Sequence, residues 1–292
     1  MPAAGPAPAG TIPVQRLRAG DHAFVSYDGD DAGRDLVSAF AWAGLAEHEK
    51  VIVFAAPKLH EDEVWARLDA PGALLGAARE RGQLVVSSMR ALIHPEKAFT
   101  PRRQWQRISE ETDQALAEGY RGLRTYIDMH WVSDLNADVG MVQWRESHAH
   151  HLFADRPYTE ICAYDSRWFT PDVLTAMHEA HPRRLLPVLG ALHVEHAPGA
   201  VRLAGEADLA TRQEFIGALH DALRRLDDGA ELTVDLSDLI FLSAACAVDL
   251  LRLVHADGQG HIRVRCGPVP ARLLKQAGAD DMPQLPLSEV ER

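Results

Sequence analysis

Short apolar runs alternate with amphipathic stretches through the first two-thirds of the chain. Residues 22–27 (HAFVSY), 51–56 (VIVFAA), 83–87 (QLVVS), 123–129 (LRTYIDM) and 158–164 (YTEICAY) read as strands. A run such as VIVFAA, apolar at consecutive positions, marks a strand buried on both faces. Between these runs, residues 34–46, 60–68, 102–118, 140–153 and 171–178 have the character of helices. Leu36, Phe40 and Ala43 recur at helical spacing in the first, Gly119 closes the third, and Pro171 opens the last. Strands alternating with helices predict an α/β domain on a mainly parallel sheet with helices on both faces. Ligands of such sheets usually bind beyond the carboxyl ends of the strands.

The pattern tightens after a junction at residues 181–186 (HPRRLL). Short strands over 191–195 and 201–203 flank the turn signal Ala197-Pro198-Gly199. Residues 211–226 form a strongly amphipathic helix with Phe215, Leu219, Leu223 and Leu226 on one face. Strands over 231–236 and 262–266 and helices over 244–256 and 269–278 complete a smaller α/β domain. The expected organisation is a loose Ala/Pro/Gly tail over 1–19, a first domain over 20–182 and a second over 188–292. A length of 292 residues suits about two domains.

Charge and cysteine usage narrow the function classes. The net charge is −12, and both halves are acidic, which argues against direct DNA binding. No apolar run is long enough to span a membrane, and the first ten residues lack the basic start of a secretion signal. Three cysteines, Cys162, Cys246 and Cys266, form no CxxC pair and read as free thiols of a reducing cytoplasm.

The chemistry-bearing motifs are few. There is no phosphate loop, and the turn after the first strand, Asp28-Gly29-Asp30-Asp31, would repel a triphosphate. No cofactor follows from the residues. His22, Asp128, His130, Trp131 and Tyr164 start, end or follow strands and are candidates to surround a small-molecule pocket. The alternative is that Trp131 and Tyr164 are simply core. His148 and His151 share a helical face and are candidate metal ligands, or else solvated histidines without a third donor. No GxSxG or HExxH motif points to catalysis.

Two resemblances add to this. His22-Ala23-Phe24 with Tyr27, Gly44-Leu45 before Glu49-Lys50-Val51, Gly82-Gln83-Leu84, residues 118–124 (EGYRGLR), Met129 with Trp131, Glu146, and residues 161–165 (ICAYD) together resemble the MEDS sensory domain. The resemblance implies a RecA-like fold without a working phosphate loop, sensing small molecules such as hydrocarbon derivatives. This chain has Ile127-Asp128-Met129-His130-Trp131 where the family usually has Gly-Glu-Met-Ser-Trp. From about Val188, residues 203–209 (LAGEADL), 234–237 (VDLS) and Phe241-Leu242 resemble a STAS domain, the fold of anti-sigma-factor antagonists. The family's phospho-acceptor serine falls on Ala245, which has no hydroxyl. Ser243 stands at the family's Asp position, as an N-cap or a substitute acceptor. Cys246 is either a small buried packing residue or a thiol made reactive by the helix start.

The resulting expectation is a cytoplasmic bacterial signalling protein, not an enzyme. A MEDS-like domain would bind a small ligand through His22, Asp128, His130, Trp131 and Tyr164. A STAS-like domain would dock an anti-sigma-factor kinase or related regulator through Ser243, Ala245 and Cys246. The alternative is a nucleotide- or metal-dependent enzyme on a RecA-like fold. Ligand identity, homo-oligomerisation and inter-domain motion stay open.

Overall fold

The computed structural model describes residues 10–57, 59–68, 74–93, 98–154, 156–226, 230–257, 262–283 and 285–290. The chain packs as two compact units, residues 17–188 and residues 10–16 with 189–292. The predicted loose tail is therefore ordered from residue 10: Thr11–Ile12 form a short strand, β1, followed by a 3-10 turn at Val14–Arg16. Residues 1–9 of that tail lie outside the described residues.

The first unit contains β2 (His22–Tyr27), β3 (Lys50–Phe54), β4 (Leu84–Ser87), β5 (Leu123–Asp128), β6 (Tyr158–Asp165) and β7 (Arg183–Leu185). They run in the order β7-β2-β6-β5-β3-β4, and every neighbouring pair is parallel. All positions of β3, β5 and β6 are buried, the charged Arg124 and Glu160 among them. One face packs on the helix Asp30–Ala46, whose Phe40 meets Tyr126 of β5. Helices Pro101–Ala117, Val139–His148 and Pro171–Ala180 supply the core of the other face through Ile108, Val142 and Met177. Pro101–Ala117 starts where the sequence predicts: the Thr100 side chain accepts the Arg103 amide, and proline takes the first turn.

Several residues of the MEDS resemblance hold this frame together. A Cβ at Gly44 would lie 2.6 Å from Val51 Cγ2, so only glycine lets the end of that helix approach β3 so closely. Arg124 of β5 pairs with Glu49 at 2.6 Å, and both are buried.

The second unit has a five-stranded sheet, order β12-β11-β10-β9-β8, from β8 (Leu192–Ala197), β9 (Ala200–Ala207), β10 (Leu232–Leu242), β11 (Ile262–Cys266) and β12 (Leu287–Glu289). Only the β8–β9 hairpin is antiparallel. Helices Arg212–Arg224, Ala244–Asp257 and Pro268–Gln276 bury Phe215, Leu250 and Leu274 against it. Among the described residues, no helix is long and apolar enough to cross a membrane.

Candidate functional site

The parallel register of β2 and β6 sets His22 beside Glu160 and Phe24 beside Cys162. Strand alternation then puts Tyr158, Glu160, Cys162 and Tyr164 on one face, toward the helices. Helix Val139–His148 brings Arg145 and Glu146 down onto that face, and His181 follows the end of helix Pro171–Ala180. The result is a cluster of ionisable groups under the helical layer, and His22, Arg145, Glu146, Glu160, Cys162 and His181 are all at most 3% exposed.

Arg145 organises it. Its Nη1 donates to Glu146 Oε2 at 2.6 Å and to Glu160 Oε1 at 2.5 Å, and its Nη2 donates to Glu160 Oε2 at 3.0 Å. Tyr158 also donates to Glu160, and the Tyr158 and Thr125 hydroxyls lie 2.7 Å apart. His22 Nε2 lies 3.0 Å from Glu146 Oε2 and 3.3 Å from Glu160 Oε1, with its ring stacked on Phe153. His181 Nδ1 lies 2.6 Å from the Met177 carbonyl, and its ring packs 4.3 Å from His22.

Burial alone would neutralise these groups. For Glu146 it is outweighed by the Arg145 charge and the His22 hydrogen bond, which lower its pKa to about 2. Glu160 is held well below the usual carboxylate range against the same desolvation, by Arg145 and His22. Burial works against the His22 cation too, but the bonds to Glu146 and Glu160 raise its pKa above 6.5. His181 goes the other way: burial and the neighbouring His22 charge lower it to about 3, so it is neutral. Burial, then the two carboxylates, push the Cys162 thiol well up, so it is no ready nucleophile.

A cleft of about 460 Å³ reaches this cluster. His22, Glu146 and His181 form its polar floor, and Phe153, Ala180 and Pro182 are among its apolar walls.

Residues 21–182, more than half of the chain, match the family described as MEDS, the MEthanogen/methylotroph, DcmR Sensory domain. The chain belongs to the MEDS family. The match takes in the whole cluster, from His22 to His181, and gives this unit the character of a sensory domain. It does not extend over residues 189–292. No curated protein matches the chain. The crystal structure of the flagellar accessory protein FlaH from Methanocaldococcus jannaschii aligns over 63% of this chain and 76% of that one, at 13% identity and a TM-score of 0.40.

The five residues expected to surround a pocket in the MEDS domain do not share one crevice. His22 opens β2 and sits on the cleft floor. Asp128 ends β5, and His130 follows two residues later with its Nδ1 2.7 Å from Asp128 Oδ1, at the opposite, carboxyl edge of the sheet. Trp131 is core: it is buried against Phe99, at 4.7 Å between rings. Tyr164 is also buried, packed on Phe24 and Phe169, but its position two residues beyond Cys162 keeps it on the cluster's face. The carboxyl-end rule thus points to the wrong edge for the cleft. Arg145, Glu160 and His181 went unsuspected. A glutamate inside the otherwise apolar run of β6 was the available signal, because a strand buried on both faces keeps a charge only with a partner.

Among the described residues, no further donor converges on the histidine run. His148 stacks on Trp144 at 4.4 Å, and His151 meets Trp105 edge-on at 4.8 Å. Both are exposed and belong to no converging donor group among the described residues.

In the second unit, Ser243 Oγ accepts the Cys246 amide at 3.2 Å, which is the N-cap geometry. Cys246 is fully buried, its Sγ 3.5 Å from the Asp208 carbonyl, and burial raises its pKa. Of the two readings of Cys246, this burial fits the packing one. Ala245 is half-buried at the helix start. Leu209, Phe241 and Val269, each at least 50% exposed, lie at or beyond the carboxyl ends of β9, β10 and β11, the edge where this helix begins.

Proposed function

We propose that the MEDS unit senses a small organic molecule taken up in the cleft over His22, Glu146 and His181, and that the second unit relays the signal by docking a regulatory protein. The observation that carries the first half is the cleft itself: a concave site of small-molecule size whose floor is a set of buried, charge-tuned groups. A ligand's polar group would meet His22 and Glu146, and its apolar part would lie on Phe153 and Pro182. The test is saturation-transfer NMR of the full chain with short-chain alcohols, amines and carboxylates. Transfer to some members of the panel is expected, and Ala180→Trp, which fills the cleft, should abolish it. Transfer to none, or transfer unchanged in the variant, rejects the cleft as the sensing site.

The second half rests on the STAS resemblance and on the exposed apolar edge formed by Leu209, Phe241 and Val269. The partner would be an anti-sigma-factor kinase or a related cytoplasmic regulator, docked around Ser243, Ala245 and Cys246 without the usual serine phosphorylation. Ala245→Glu places a carboxylate at the centre of this surface. It is expected to weaken binding of a purified anti-sigma kinase by about tenfold or more in titration calorimetry. Unchanged affinity removes this surface from the reading.

A further inference from the structure

Four donor atoms converge at the cleft floor: His22 Nε2, Glu146 Oε2, Cys162 Sγ and His181 Nε2 all lie within 4.8 Å of one another, and all four residues are buried. We propose that these four groups form a tetrahedral site for one divalent transition-metal ion, with zinc the ion the donor set fits. Two imidazoles, a carboxylate and a thiolate are ordinary ligands of that ion.

The spacing supports it. Metal–ligand bonds of about 2.0–2.3 Å in a tetrahedron set donors roughly 3.3–3.6 Å apart. Here Glu146 Oε2 lies 3.6 Å from His181 Nε2 and 3.7 Å from Cys162 Sγ, and Cys162 Sγ lies 3.8 Å from His22 Nε2. His22 to Glu146, at 3.0 Å, has the length of a direct hydrogen bond, and the two Cys162 distances also suit weak thiol hydrogen bonds, which a bound ion would replace.

A second observation is independent of spacing. His181 Nδ1, 2.6 Å from the Met177 carbonyl, can only donate there, so Nε2 is the ring nitrogen left to bind a metal ion. That nitrogen is buried and has no hydrogen-bond partner among the described residues. The Glu146 Oε2 acceptor lies 3.6 Å from it. An unpartnered buried imidazole nitrogen beside a carboxylate oxygen is an arrangement that a metal ion would satisfy. The Met177 carbonyl is the kind of outer-shell bond that orients a metal-binding histidine, and Arg145 fixes Glu146 likewise.

Charge closes as well. With Cys162 as thiolate and both histidines neutral, a divalent ion balances Glu146, Glu160 and Arg145 to zero. The cleft gives the ion a route in, because His22, Glu146 and His181 line it. The inference deepens the sensing reading, which needs the cleft but not the metal: four protein donors close the tetrahedron, so a small ligand would reach the ion only by adding a fifth bond or displacing one donor.

The experiment uses the untagged full chain, stripped with a chelator and titrated with Co²⁺. The expected result is one equivalent bound, with intense tetrahedral d–d bands and thiolate-to-cobalt charge-transfer absorption. Zn²⁺ should displace it, and Cys162→Ser should lose the charge-transfer band. His148→Ala/His151→Ala should keep the full spectrum. Absence of both bands in the folded wild-type chain overturns the proposal without recourse to any variant, and so does an identical spectrum in Cys162→Ser. Cobalt binding without fragment binding would keep the metal site and remove the sensing reading. Fragment binding without the cobalt bands would do the reverse.

Discussion

Replacing Arg145 by leucine is expected to cost about 3–5 kcal/mol of stability, because it strands two buried carboxylates. Arg145 is 1% exposed and donates to both oxygens of Glu160 and to Glu146. Its removal leaves the carboxylates to repel each other, with only His22, Tyr158 and weak thiol contacts to balance them. Arg145→Lys should fall between, since an ammonium reproduces the charge but not the planar fork that spans Glu160. Adding Glu146→Gln and Glu160→Gln to Arg145→Leu should restore much of the loss, because a neutral cluster carries no stranded charge. The measurement is urea unfolding followed by tryptophan fluorescence. All six tryptophans lie between Trp42 and Trp168, so the signal reports the MEDS unit alone. A cost below about 1 kcal/mol would mean that the carboxylates do not depend on Arg145 for their charge.

The frame of this unit was legible in the sequence because its pattern is nearly undisturbed. β3, β5 and β6 each carry an apolar stretch bounded by turn signals, and the helices between them carry clear stripes. The second unit was less legible where regularity fails. β10 continues to Leu242, whereas its pattern predicts an end at residue 236, because register shifts after Asp235 and Leu239 break the alternation. The segment Arg183–Leu185 pairs with β2 although it reads as a junction, since three residues with two arginines carry no strand signal. Residues 140–153, read as one helix, divide at Ala149. The cluster was half visible. His22 and Cys162 lie in motifs of the MEDS resemblance, but Arg145, Glu160 and His181 join the cluster only through strand register and a helix end far along the chain. Trp131 drew attention because aromatics serve pockets and cores alike, and composition cannot separate the two.

The second large effect is a loss of stability in acid, measured on chelator-treated protein. Burial and the His22 charge depress His181 to about 3 from an ordinary 6.5, so the unfolded chain binds this proton first. Its contribution is complete above pH 6.5 and is lost as the pH falls toward 3. Glu146, held at about 2 against an ordinary 4.5, and Glu160, held well below the usual carboxylate range, add their losses below pH 4.5. Each such proton steepens the decline by about 1.4 kcal/mol per pH unit. His22 has the opposite sign. Its raised pKa gives stability that is complete below 6.5 and is lost as the pH rises through its folded value. The fluorescence-detected midpoint in urea should therefore be highest near pH 6.5, decline gently toward 4.5 and fall steeply below it. Arg145→Leu provides the decisive comparison. Without the guanidinium, Glu146 and Glu160 are no longer held ionised, so the folded variant takes up their protons along with the unfolded chain. Its acid limb should flatten, and the gap from wild type should narrow from neutral pH to pH 3. Parallel curves for the two proteins would place the acid sensitivity elsewhere in the unit and detach it from this cluster.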